Sequence, residues 1–162
     1  KTQAAAVLSM AGRYDEAHEK FREVLKRAPN NERILTSYGH SLRYSGKGAD
    51  ATDAYLKAIA AEPSAGEAWW SLANLKTFRF SNEQIDDMRT RLAALKKPND
   101  DKFHLAFALG KALEDTKAYD DSFGAYAIGN RIKGKLSAYV RDDRSARVEA
   151  MIGRLKALEH GS

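Results

Sequence analysis

Four histidines and no cysteine set the limits of the chain's site chemistry. Without cysteine there is no thiolate zinc site, iron–sulfur cluster, cysteine nucleophile or disulfide framework. His18, His40, His104 and His160 share no metal-binding spacing. Four pairs of adjacent aspartates, Asp86-Asp87, Asp100-Asp101, Asp120-Asp121 and Asp142-Asp143, resemble acid/base couples at first sight. Adjacent residues on a helix do not face each other, and three of the pairs fall near predicted helix starts. There a carboxylate favours free amides and the helix dipole. Ser9, Ser41 and Ser71 have no convincing histidine-plus-acid partners in the sequence. Gly46-Lys47-Gly48 lacks the long phosphate loop and the hydroxyl residue after its lysine, so it reads as a turn between helices. No catalytic residue, metal ligand or cofactor is assigned.

The elements that would position any site come next. The chain has 162 residues, enough for one domain with a real core, and 43% of them are hydrophobic, which argues against disorder. No apolar run approaches the ~20 residues of a membrane span. No secretory signal is visible, so a cytoplasmic location is expected. The chain starts at Lys1 rather than Met, which reads as a processed or trimmed product with the possibility of further sequence on either side. Only three prolines interrupt it. Pro29 and Pro63 stand 34 residues apart, as do Gly12 and Gly46, Ala17 and Ala51, and Phe21 and Tyr55. A fixed period of this length marks a stack of supersecondary units.

Each period reads as a helical hairpin. Residues 1–11 form a first helix and Gly12-Arg13 a turn. Residues 14–28 then place Ala17, Phe21, Val24 and Leu25 on one side. Helices are predicted at about 32–45 and 49–61, then 66–78 and 82–95, with Ser81 and Gln84 as a capping box. Two more follow at 101–115 and 119–138. A ninth, about 142–158, carries Val148, Met151, Ile152, Leu155 and Leu158 at helical spacing. The units are therefore about 1–31, 32–65, 66–100 and 101–138, with 139–160 as a helix that caps the fourth hairpin or leads into a further domain.

The pattern of Gly12, Tyr14, Ala17, Phe21 and Pro29, then Tyr38-Gly39, Leu42, Gly46, Ala51, Tyr55, Ala58 and Pro63, resembles the tetratricopeptide repeat family. Trp69, Leu72, Ala73 and Leu75 begin a third unit, which departs at Phe80 and Ile85. Leu109-Gly110, Leu113, Tyr119, Ser122 and Tyr126 mark a fourth, about three residues out of register. The resemblance implies an all-α, right-handed superhelix of stacked hairpins. More narrowly, residues 62–76 and 103–115 resemble the helical region of bacterial proteins in which such repeats precede a sulfotransferase domain. That resemblance implies an arm that positions substrate or regulates a catalytic half, with a phosphosulfate donor only if such a half follows. No phosphate-cradling loop or strand-like alternation stands out in this chain.

Stacked hairpins form a concave surface lined by the first helix of each pair. That geometry predicts Arg33, Ser37, His40, Arg43 and Tyr44 on it. From the third unit it predicts Trp70, Asn74, Thr77 and Phe78, and from the fourth His104, Phe107, Lys111 and Glu114. Aromatics, hydrogen-bonding groups and positive charge suit a protein or peptide ligand. Tyr44 and Phe78, near helix ends, could instead pack on the following helix. Trp70 could be covered by a neighbouring hairpin. The histidines could be ordinary packing or surface residues, and Arg33, Arg43 and Lys111 solvated charges. The lysine and asparagine set that grips a chaperone's terminal carboxylate in some repeat proteins is absent: Thr2, Ala6, Ser37 and His40 occupy those inward positions, with Glu67 near the rim. Residues 129–160 hold eight Lys and Arg against four Asp and Glu, most of the net +5. A solvated helix is the simplest reading of this charge. Docking of a following domain or an acidic partner is the next, and self-association through an apolar face another. Acidic interruptions and the lack of any recognition motif argue against nucleic acid.

Overall fold

The structure, a computed structural model, describes residues 2–159, with side chains through Ile152. The side chains of Leu155 and Leu158, together with Lys1, His160 and Gly161-Ser162, lie outside the described residues. Among the described residues there are eight helices and no strand: α1 Thr2–Met10, α2 Tyr14–Leu25, α3 Glu32–Tyr44, α4 Gly48–Ala61, α5 Gly66–Ala73, α6 Asn82–Ala94, α7 Asp100–Asp115 and α8 Tyr119–Glu159.

The periodic residues become the periodic core. Ala17 and Ala51 are completely buried, and so, within 1%, are Phe21 and Tyr55. A small residue at the first position lets paired helices approach, and the aromatic ring one turn later fills the space between hairpins. Gly39 makes room for Tyr55, because a Cβ there would stand 2.5 Å from the Tyr55 Cε1. Gly12 and Gly46 turn the chain between α1 and α2 and between α3 and α4 with φ of +75° and +80°. An L side chain resists that left-handed conformation. Lys117 adopts it in the corresponding turn between α7 and α8, with φ of +63°.

The third hairpin is built differently. The helix expected over 66–78 ends at Ala73, and residues 74–81 cross to α6 without regular structure. The reason lies in two rings. Phe78 and Phe80 meet edge to face with centroids 5.0 Å apart, and Phe80 leans on Trp69 at 5.8 Å. A continuous helix would point residues 78 and 80 in different directions and bury only one of them. The Ser81–Gln84 capping box then starts α6 as expected: Ser81 Oγ accepts from the Gln84 N–H, and Gln84 Oε1 accepts from the Ser81 N–H at 2.9 Å.

Gly66, the first residue of α5, lies against the first turn of α7. Its N–H donates to Asp101 Oδ1 at 3.1 Å. A carboxylate from the next hairpin thus caps a helix whose own N-cap, Ala65, has no side chain able to do so.

The expected boundary near residue 138 is absent. The predicted eighth and ninth helices are one helix of 41 residues, on the order of 60 Å long at 1.5 Å per residue. Nothing in Ser137-Ala138-Tyr139-Val140 breaks a helix, so the second helix of the fourth hairpin continues. Its first half packs on α7, where Gly129 admits the Phe107 ring. Residues 139–152 are exposed throughout, so this segment does not fold back as a cap on the fourth hairpin.

Candidate functional site

The first helices of successive hairpins touch in order: α1 on α3, α3 on α5, α5 on α7. The exposed sides of these helices carry the candidate site. At its N-terminal end a groove of about 340 Å³ lies between α1 and α3, with Ser9, Met10, Tyr14, Ser37, His40 and Tyr44 among its lining. Ser9 and Ser41 hydrogen-bond across its floor through their hydroxyls. Tyr44 is 66% exposed and Met10 89% exposed, so both offer apolar surface to solvent. Tyr44 therefore stands at the groove rather than beneath the following helix. Arg43 lies over its ring, 5.0 Å from the centroid, and donates from Nη2 to the Tyr44 hydroxyl at 3.2 Å. No carboxylate pairs with Arg43 among the described residues.

His40 links this groove to the rest of the face. Its Nδ1 is 2.9 Å from the Tyr55 hydroxyl and its Nε2 is 3.1 Å from Glu67 Oε1. The hydrogen bond from His40 holds the Glu67 carboxyl below its ordinary range. Burial pushes the Tyr55 phenol up to about 12, so it stays protonated as a structural strut. Burial also lowers the His104 imidazole, against the opposing pull of Glu67, Asp100 and Asp101. Glu67 thus pairs directly with His40 and acts on His104 through its charge.

The C-terminal end is aromatic. Trp70 and Phe107 are half-buried with centroids 5.6 Å apart. Phe107 also meets Phe103 at 5.8 Å and Tyr126 at 6.2 Å, and Phe103 meets His104 at 4.1 Å. The positive charge predicted here is largely spent internally. Lys111 Nζ binds Asp115 Oδ1 at 2.5 Å, and Arg79 approaches the same carboxylate at 3.8 Å. Glu114 accepts from the Tyr126 hydroxyl at 3.1 Å.

The structure therefore sorts the sequence's candidates. Ser37, His40, Arg43 and Tyr44 gather at the N-terminal groove, and Trp70, His104 and Phe107 at the aromatic end. Arg33 stands apart on the first turn of α3, its side chain 91% exposed beside Glu32. Asn74 lies at the end of α5, where its Nδ2 donates to the Trp70 carbonyl at 2.8 Å. Thr77 is exposed in the irregular link, and Phe78 is half-buried against Leu72 and Leu75. Phe78 is a packing residue, because α5 stops before it. The residues sequence reasoning missed are Met10 and Tyr14, beside the groove, and Glu67 as a partner of His40. Glu67 was legible in one respect: it precedes Trp70 by three positions and so shares its helix face.

A tetratricopeptide repeat family model matches residues 38–75, from the middle of α3 to just past α5. No curated protein matches the chain. The repeat match, the succession of packed hairpins and the 34-residue spacing of buried residues make the described residues an all-α, tetratricopeptide-like helical repeat.

Proposed function

We propose that the chain is a non-catalytic scaffold whose first-helix face binds a peptide segment of another protein. The observation that carries this reading is the groove between α1 and α3, with exposed Met10 and Tyr44 on its walls and Arg43 without a carboxylate at its edge. An apolar side chain of the ligand would enter the groove, and a neighbouring carboxylate would meet the Arg43 guanidinium. The segment would run on past His40 and Glu67 toward Trp70, whose ring type is enriched at binding hot spots. Repeats of this type generally mediate protein–protein contacts, which supports the same reading.

A second reading follows from the narrower resemblance: the array as a substrate-positioning arm of a sulfotransferase. Its support is the resemblance of residues 62–76 and 103–115, which span α5 and most of α7. Under it a phosphosulfate donor would bind residues outside this chain.

The test of the binding reading is selection of peptides from a displayed random library on the full chain. Selected peptides should combine a large apolar residue with an acidic one, and Tyr44→Asp should weaken them at least about tenfold. Peptides of no common character, or binding indifferent to Tyr44→Asp, would remove the groove from the proposal.

A further inference from the structure

Among the described residues the array has an open end. Each first helix packs on the next, and each second helix on the first helix that follows it: α2 on α3, α4 on α5, α6 on α7. Among the described residues the series stops at α7 and α8. A groove of about 620 Å³ lies there, between the first turn of α7 and the middle of α8. Asp100 and Phe103 form one wall; Lys133, Leu136, Val140 and Arg141 form the other. This is the position at which a further first helix would pack.

The groove does not end with its walls. On α8, positions 133, 137, 140, 144, 148 and 151 recur every three or four residues and therefore lie on one face. Val140, Val148 and Met151 on that face are 56%, 46% and 58% exposed. Arg144 lies among them, with Arg141 at the edge. Asp142 and Glu149 fall on the opposite side of the helix. Lys133 Nζ sits over the Phe103 ring, 5.9 Å from its centroid. Neither it nor Arg141 nor Arg144 forms an ion pair among the described residues; the one pair on this stretch is Arg147 with Asp143, at 3.0 Å.

We propose that this groove, with the α8 face that continues it, binds an amphipathic helix of a partner protein that carries carboxylates beside its apolar stripe. The site is distinct from the first-helix face. A helix suits it because the groove runs between two helices, where the repeat itself would seat a helix. The carboxylates follow from three cations facing the site against the single carboxylate of Asp100. A second copy of the same face suits it poorly, because symmetric pairing would bring Lys133, Arg141 and Arg144 of each copy together with only Asp100 to set against them. A lipid surface would use the basic and apolar stripe but not the Phe103 wall.

The test uses the full chain and three labelled helical peptides of about 18 residues. One has leucines at helical spacing flanked by glutamates. The second has the same leucines flanked by lysines, and the third has the glutamates with alanines in place of the leucines. Fluorescence anisotropy in about 0.15 M salt should show the Leu/Glu peptide binding at least about tenfold tighter than either other. The double variant Arg141→Glu/Arg144→Glu should lose about tenfold or more for that peptide and gain for the lysine one. Tyr44→Asp should leave this binding unchanged, which separates the site from the peptide-binding face. Unchanged circular dichroism and melting would show that the double variant is folded, as expected for exposed positions. Equal binding of all three peptides, or a double variant that binds like the parent, would overturn the proposal. So would a dimer in sedimentation that Val148→Asp/Met151→Asp dissolves, which would assign the face to a second copy. Binding to phosphatidylglycerol vesicles in place of any peptide preference would overturn it in favour of a lipid surface.

Discussion

Gly66→Ala should damage the protein far more than its single methyl group suggests. An alanine Cβ at this position would stand 2.7 Å from the Asp101 carbonyl carbon, 2.8 Å from its Cα, and closer still to the carbonyl oxygen. These are backbone atoms in the first turn of α7, so no side chain can swing aside. To reach ordinary contact at 3.4 Å the carbonyl carbon must retreat by about 0.7 Å, and the oxygen further. Such overpacking typically costs about 1–3 kcal/mol. The same displacement stretches the bond from the Gly66 N–H to Asp101 Oδ1, an amide–carboxylate interaction of the kind worth about 1.5–3 kcal/mol when fully formed. Alanine's better helix propensity returns at most about 1 kcal/mol, and less at the first position of a helix. The net expectation is a loss of about 2–3 kcal/mol.

Urea unfolding followed by circular dichroism measures this directly, with Gly124→Ala as the control. A Cβ at Gly124 meets nothing within 4 Å, so that variant should be neutral or up to about 1 kcal/mol more stable. The contact lies at the seam between the third and fourth hairpins. Hydrogen exchange in Gly66→Ala should therefore accelerate in α7 and the first half of α8 before it does in α2 and α4. A Gly66→Ala protein within about 0.5 kcal/mol of the parent would refute the reasoning, because it would mean that α5 and α7 separate at no cost.

Two further outcomes follow. His18 is buried between Tyr14 and Tyr38, its Nε2 has no hydrogen-bond partner among the described residues, and burial is the main cause that lowers its pKa below 6.5. The unfolded chain then binds the proton more readily, so this contribution to stability is full above pH 6.5 and lost as pH falls below it. His18→Phe should flatten the fall in urea midpoint between neutral and mildly acidic pH, and an unchanged slope would show that His18 does not carry it. Deleting residues 142–162 should leave the melting temperature of the remainder within about 1 °C, since residues 142–152 are exposed; a drop of about 4 °C or more would show that they are packed on the body.

The regular half of this fold was legible because its signals are local or strictly periodic. Gly12 and Gly46 announce left-handed turns, Ala17 and Ala51 close helix contacts, and Ser81 with Gln84 a helix start. The early end of α5 was hidden by its own sequence. Leu75 and Phe78 continue the apolar spacing of Leu72, so periodicity alone extends the helix to Phe78, and only the pairing of Phe78 with Phe80 stops it. The turn between 115 and 119 was legible, but not its left-handed residue, because lysine carries no preference for the conformation Lys117 adopts there. At the site, residue type and helix face were enough to collect His40, Tyr44, Trp70 and Phe107. The links between them were not readable. His40 reaches Glu67 across 27 residues and Gly66 reaches Asp101 across 35, and both depend on how hairpins stack.

The two halves of the array are held together by different means. In the first half each hairpin closes on a glycine turn, and alanine and an aromatic ring recur at fixed intervals. In the second, α5 and α6 are joined by an open link, and both pack on α7. The buried side chains of Trp69, Met88 and Leu109 belong to one cluster drawn from all three helices. The third hairpin thus completes its core only with the fourth in place, and its Leu72 and Leu75 also close the cluster of Leu42, Ala51 and Tyr55 from the second. The units from α5 to α8 should therefore unfold together, whereas α1 and α2, which bury Ala5, Ala17 and Phe21 mainly between themselves against Ile34 and Tyr38, should fray with more independence. Such a division puts the α1–α3 groove on a part of the array that can fray without disturbing the α7–α8 groove. Ligand binding at one should accordingly stabilise its own half more than the other.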